Sequence, residues 1–383
     1  MAFFRNSAVN LLNLHYGIHT VALSGGAAFF LIYLMQSGVS VPGVFVSFAL
    51  ILLGRLIIRP LVVGLGVRWG LRAMVVAGTV LSALQYPLLA EVQGVGIVLA
   101  VLIALCAVAD TVYWTTYHAY FAALGDDDHR GQQIGVREAI AAVVGIASPL
   151  LTGWLLVTFG PRVAFGTTGV ITGLAALPLF WAPDVRVKAR VPGAFRAALP
   201  AVLLFAADGW VAVGTVFVWQ IALFVSLGES LLGYGGALAL AALAGAIGSL
   251  TLGRHIDAGH GGRAVWYASG VLAAIVTLRA IAAGHATIAV LANALGAFGY
   301  CLYIPTGMTA VYTMAKRSPC TLRFHVATEG GWDIGGAAGL LVAALATGLG
   351  VPLSASIAMA LAGVAAIAVM LRRYYAKVPV AVG

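Results

Sequence analysis

The sequence predicts an all-α membrane protein whose twelve transmembrane helices form two pseudo-symmetric six-helix bundles. Three observations lead there. The 383 residues are 62% hydrophobic and only 9% charged, whereas a soluble domain is about a quarter charged. A water-soluble core cannot hide that much apolar surface. The chain also repeats itself at an offset of 191 residues: Gly70, Arg72, Ala73, Ala77, Val80, Leu81 and Ala83 recur as Gly261, Arg263, Ala264, Ala268, Val271, Leu272 and Ala274. Gly54/Gly245, Thr115/Thr306, Glu138/Glu329, Gly145/Gly336 and Ala147/Ala338 keep the same register. Finally, Lys and Arg fall in alternate connections, as they do in a chain that threads a bilayer back and forth.

A helix of about twenty apolar residues crosses the hydrocarbon layer. In order, Leu11–Met35 ends at the Ser37-Gly38 turn, and Val41–Leu61 is followed by the basic turn around Gly70. Leu71–Leu89 stops before Glu91, and Val95–Phe121 stops before Gly125 and an acidic run at 126–128. Ile134–Val157 and Val163–Trp181 are separated by Gly160-Pro161. The longest polar connection follows, giving a first bundle at 1–181, a linker at 182–197 and a second bundle at 198–383. That bundle repeats the pattern with Ala198–Val225, Leu232–Leu252, Ala264–Ile281, Ala286–Met314, Val326–Leu349 and Pro352–Leu371, broken mostly at Gly or Pro. Cys106, Cys301 and Cys320 are too few and too scattered for a disulfide framework or a metal knuckle. No cleavable signal is expected, because no small-residue cleavage site follows the first apolar run.

The net charge of +9 comes from orientation rather than from nucleic-acid binding. One face collects Arg5, Arg68, Arg72, Arg130, the linker cations, Arg254, Arg263, Lys316, Arg317, Arg323, Arg372, Arg373 and Lys377; the other has only Arg162 and Arg279. By the positive-inside rule both termini are cytoplasmic, in an inner-membrane protein that crosses the bilayer many times.

Two six-helix halves joined by a basic linker resemble the major facilitator superfamily over essentially the whole chain. The most specific match is Gly253-Arg-His-Ile-Asp257-Ala-Gly-His-Gly-Gly-Arg263, similar to the family's Gly-x-x-x-Asp-x-x-Gly-x-Arg loop. Its first copy keeps Arg68, Gly70 and Arg72, but has Gly66 or Val67 in place of the Asp. The fifth run holds Gly145-Ile-Ala-Ser148-Pro149-Leu-Leu-Thr152-Gly153, similar to a motif of the family's proton-driven exporters. A packing stripe of small residues with a Pro kink is the alternative.

Charges within the hydrocarbon cost about 2.5–3.5 kcal/mol each on insertion scales, so every one needs a partner, water or a role. The resemblance implies that helices 1, 4, 7 and 10 line a central cavity flanked by 2, 5, 8 and 11, which include all the intramembrane candidates. Asp110, Tyr113, Trp114 and Tyr117 share one helical face, which suits a proton-exchanging carboxylate beside an aromatic wall continued by Tyr300 and Tyr303. A fixed Asp110–Arg55 pair is the alternative. Asp208 occupies the matching part of the seventh run, and His15 and His19 bracket its repeat position, Gly17. Arg55 and Arg59 are read as snorkelling to the cytoplasmic side. By resemblance, Arg68, Arg72, Glu138, Asp257, Arg263, Glu329 and Asp333 form a cytoplasmic gate, with Glu329 or Asp333 meeting Arg68 or Arg72, and Glu138 meeting Arg263.

The expected activity is therefore proton-coupled secondary transport of a small organic solute, amphipathic or charged, by alternating access, with export slightly favoured. No enzyme activity, cofactor or nucleic-acid partner is expected, and the chain is expected to act as a monomer. The rivals are uptake of an organic anion, transport of a divalent metal through a His15/His19 pair at ligand spacing, a histidine-box metalloenzyme, and a receptor or lipid-handling protein without flux.

Overall fold

The computed structural model describes residues 6–125, 130–256 and 261–376, all helices and connections with no strand among them. The helices are α1 Ser7–Gln36, α2 Val41–Trp69, α3 Leu71–Ala90, α4 Ile97–Leu124, α5 Arg130–Phe159, α6 Pro161–Trp181, α7 Ala194–Ser226, α8 Leu231–Ile256, α9 Gly261–Ala282, α10 Ala286–Arg317, α11 Thr321–Gly348 and α12 Leu353–Tyr375. Eleven contain a described stretch long and apolar enough to cross a membrane. The other, α10, is 32 residues long and apolar over Ala286–Cys301.

Several helices outrun their apolar stretches because polar residues satisfy the ends. α1 starts at Ser7, where the Asn6 side chain accepts a hydrogen bond from the Val9 amide at 3.1 Å. α11 starts at Thr321, five residues before the apolar run. There Arg323 is buried and donates to the linker carbonyls of Lys188 (3.0 Å) and Ala189 (2.8 Å). On the opposite face, Arg162 makes two 2.8 Å hydrogen bonds to Glu91, which hold that exposed carboxyl below the ordinary glutamate range.

α1 and α7 each contain one π-helical turn, Ala22–Ala27 and Val213–Val218. The two turns are separated by the repeat period, so the repeat reaches backbone geometry and not only composition. Each receives a side chain from the corresponding neighbour. Tyr86 on α3 donates to Ala22 O at 3.3 Å, and Arg279 on α9 donates to Thr215 O at 2.6 Å. Arg279, near the end of its helix, is thus a buried residue, its guanidinium 5.0 Å above the Trp219 ring and 5.9 Å from the Tyr300 ring.

The most extensive packings between the first and second halves of the chain are α2 with α11, and α5 with α8. The small-residue segment of α5 makes the second. Added β-carbons would sit 2.9 Å from Leu231 O at Gly153 and 2.6 Å from Pro149 O at Gly235. Here the segment works as a packing stripe. α11 goes further, using glycine on two sides. Gly331 and Gly335 admit the α7 backbone at Val202 O and Ala206 O, while a β-carbon at Gly336 would meet Leu52 of α2 at 2.7 Å. α11 is therefore wedged between α7 and α2, closely enough that its side chains reach both.

Gly335→Ala is expected to force these backbones apart and cost at least about 1–3 kcal/mol, lowering the thermal unfolding midpoint of the detergent-solubilised protein. Gly236→Ala, in the open space beside α8, should leave the midpoint unchanged or slightly raised. Equal midpoints for the two variants would refute the close-approach account.

Candidate functional site

The wedge position of α11 delivers its carboxylates to the arginines of α2. Arg55 is the fifteenth of 29 residues in α2, Asp110 the fourteenth of 28 in α4, and Asp333 the thirteenth of 28 in α11. All three lie at mid-height, where water is scarcest. Arg55 Nε is 3.0 Å from Asp333 Oδ1, and Arg59 donates from Nε at 3.0 Å, and also from Nη2, to Asp333 Oδ2. Arg59 Nη1 donates to Glu329 Oε2 at 2.9 Å and to Thr115 Oγ1 at 3.0 Å. Arg55 Nη1 stands 3.9 Å from Asp110 Oδ2. Two guanidinium groups thus serve three carboxylates, linking α2 and α4 to α11.

This arrangement corrects two sequence expectations. Arg55 and Arg59 do not snorkel: Arg59 is 2% exposed, and the carboxylates supply inside the membrane what the surface would have offered. Glu329 and Asp333 meet these arginines instead of Arg68 or Arg72, because they lie deeper than the turn around Gly70. That turn is held by the linker. Asp184 Oδ1 accepts from the Arg72 amide at 3.3 Å, and Arg72 Nη1 donates to Ala182 O at 3.2 Å. The Asp184 carboxylate lies over Gly70, whose φ of +82° and missing β-carbon both make room for it. The carboxylate absent from the first loop copy is thus provided by the linker. Of the other expected gate residues, Asp257 and the side chains of Glu138 and Arg263 lie outside the described residues.

On α4 the expected aromatic face divides in two. Asp110, Trp114 and His118 are one turn apart and partly exposed, with the Trp114 and His118 rings stacked at 5.6 Å. Tyr113 and Tyr117 are buried against α1. There His15 Nδ1 lies 2.7 Å from Ala175 O, and its Nε2 lies 3.0 Å from the Tyr113 hydroxyl. A carbonyl can only accept, so the neutral ring donates through Nδ1 and accepts the Tyr113 O–H through Nε2. In this arrangement the Nε2 lone pair is taken by the Tyr113 hydroxyl. His19 stacks on His15 at 5.8 Å, with its ring 4.2 Å from that of Tyr113 and its buried Nδ1 without a hydrogen-bond partner. Among the described residues, no three His, Cys, Asp or Glu side chains converge as a metal site.

In the second half, Asp208 Oδ1 accepts from Tyr303 Oη at 2.7 Å and Oδ2 from Trp332 Nε1 at 3.2 Å. Arg55 lies 5.7 Å from the centroid of the same indole. Trp332 therefore sits between the Asp208 carboxylate and the charged cluster. Tyr300 stands beside Tyr303 at 6.1 Å, in an edge-on contact. Sequence reasoning overlooked Trp332, Thr115 and His325, whose ring lies 6.2 Å from that of His118. A signal for Trp332 did exist: it is the one bulky aromatic within the glycine-rich stretch 330–336.

At the ends of α1 and α8 remote from the basic face, Tyr234 Oη donates to Ala28 O at 3.0 Å and its ring meets Phe29 edge-on at 5.2 Å. The charged cluster and this aromatic contact thus join the two halves at different depths.

Residues 16–227 match the model of the Major Facilitator Superfamily. No curated protein matches the sequence. Among solved structures, the in meso crystal structure of the POT family transporter PepTSo superposes with a TM-score of 0.69 at 12% identity, covering 97% of this chain and 99% of that one. An auto-inhibited POT family peptide transporter gives 0.65 at 13% identity, covering 97% of each chain. The human organic anion transporter MFSD10 (TETRAN) gives 0.69 at 14% identity, covering 95% and 99%.

Removing one partner of a buried ion pair strands the other, so Asp333→Ala is expected to cost about 3–5 kcal/mol. Arg59→Met combined with Asp333→Leu should cost clearly less than the sum of the two single changes, as read from unfolding midpoints. Additive losses, within about 0.5 kcal/mol, would mean the pair is not energetically coupled.

Proposed function

Since the chain belongs to the major facilitator superfamily and is a multi-pass secondary transporter, we propose that it moves a small organic solute by proton-coupled alternating access. The observation that carries this reading is the mid-height cluster in which three carboxylates share two guanidinium groups across α2, α4 and α11. One carboxylate exceeds the local positive charge, and Asp110 is the most loosely held and the most exposed of the three. It is the group a proton reaches from the cavity. Protonating it frees Arg55 to lean further toward Asp333, which changes the electrostatic attraction between the halves. A ligand-linked charge change that alters one inter-half contact more than another biases the equilibrium between open states.

Asp208 is the second candidate proton or substrate group, because it is held by neutral donors alone. Trp114, Trp332, Tyr300 and Tyr303 offer aromatic surface beside the two aspartates, while Tyr113 and His15 brace α1 against α4. The acidic excess favours an amphipathic or cationic solute. Export is slightly favoured, from the inner membrane, by a monomer with cytoplasmic termini. In the gate we place the α2–α11 clasp, with Arg68 and Arg72 acting through their contacts with the linker. Uptake of an organic anion is the second reading. One fold neighbour is described as an organic anion transporter, but here the arginines are already occupied by carboxylates.

Thermal midpoints against organic cations, organic anions and divalent metals at pH 6 and pH 8 identify the ligand class, because a ligand well above its Kd raises the midpoint. With that solute in proteoliposomes, Asp110→Asn should abolish proton-gradient-driven accumulation while counterflow exchange stays measurable. Normal uphill accumulation by the variant would rule out the proton role of Asp110.

A further inference from the structure

A cleft lies away from the central cluster, at the basic end of the second half. It has a volume of about 680 Å³ between the first turns of α7 and the last turns of α10 and α12. Its walls are apolar, with Leu203 on α7, Met314 on α10 and Met370 on α12. Its rim is cationic, formed by Arg317 at the end of α10 and Arg373 near the end of α12, with Tyr374 beside them. Both arginines are exposed, and among the described residues neither has a carboxylate partner. Neighbouring Arg372 points elsewhere, with its guanidinium 5.6 Å over the Trp266 ring of α9.

We propose that this cleft binds one anionic phospholipid of the surrounding bilayer, with its acyl chain along Leu203, Met314 and Met370 and its phosphate between Arg317 and Arg373. The cleft's walls run down α7 from Ala197 to Leu204, about 10 Å at 1.5 Å per residue. That depth passes from the headgroup level into the hydrocarbon. An apolar slot open to the bilayer fills with acyl chain in any lipid. What selects the lipid is the pair of uncompensated guanidinium groups at its mouth, which match a phosphate in charge and in hydrogen-bonding geometry. Tyr374 stands at the level where an amphipathic ring favours the interface. Because α7 carries Asp208 and α10 carries Tyr303, a lipid wedged between their basic ends holds together the two helices that form the Asp208 contact.

The test uses the delipidated full chain in neutral detergent. Phosphatidylglycerol or cardiolipin should raise the thermal unfolding midpoint by roughly 3 °C or more, and native mass spectrometry should show one retained lipid. Phosphatidylcholine, which offers the acyl chain without net negative charge, should raise the midpoint clearly less, and inorganic phosphate should leave it unchanged. R317Q/R373Q should lose the shift while keeping the lipid-free midpoint, since both side chains are exposed. Leu203→Trp, which fills the slot and keeps the charges, should lose lipid retention. An equal shift from phosphatidylcholine, an equal shift from phosphate, or an undiminished shift in R317Q/R373Q would each overturn the proposal. These readouts involve no transport, so they stand or fall separately from the proton role of Asp110.

Discussion

Two arginines in the middle of a membrane helix set the terms for the rest of the structure. Arg55 and Arg59 cannot stay charged in hydrocarbon alone, and nothing else on α2 can satisfy them. Their carboxylates come mainly from α11, at the far end of the chain. For Asp333 to reach both, α11 must lie very close to α2, and the glycines of its 330–339 segment allow that approach. The same glycines bring Trp332 against Asp208. Ion cluster and glycine wedge are one construction, since the charges pull on α11 and the missing side chains let it come.

The internal repeat shows which features belong to the scaffold and which to specialisation. The paired π-helical turns of α1 and α7 occupy equivalent positions and each has a side-chain cap, but from different residue types, Tyr86 and Arg279. A π turn leaves backbone groups without their usual helical partners, so a donor is needed in both halves. The charged cluster is repeated only at Glu329, whose mate is Glu138: the repeat positions of Arg55, Arg59, Asp110 and Asp333 are Ala246, Leu250, Cys301 and Ala142. The chemistry is asymmetric on a symmetric frame, and the ion cluster draws its groups from both halves.

The linker is more than a tether. Asp184 closes the α2–α3 turn, where the second repeat copy has an aspartate within its own loop, and the Lys188 and Ala189 carbonyls receive Arg323 from α11. One short segment thus touches the basic ends of α3 and α11, which belong to opposite halves. Any rocking of the halves must work against these partly buried hydrogen bonds.

The sequence by itself determined the class of the fold. Hydrocarbon admits only backbone whose hydrogen bonds are satisfied internally, so twelve long apolar runs could hardly be anything but helices, and the 191-residue repeat marked their grouping. It also showed which residues needed an explanation, because ionisable groups are rare enough in such runs to stand out one by one. What it could not supply was their pairing. The 3.6-residue period places Asp110 on a face of α4 but does not say that Trp114 and His118 share its open side while Tyr113 and Tyr117 turn to α1. It counts Arg55 and Asp333 without bringing them within 3.0 Å. Those contacts depend on how closely helices far apart in the chain approach one another. That distance is set by the steric fit of glycines against distant backbones, and so only the tertiary structure decided it.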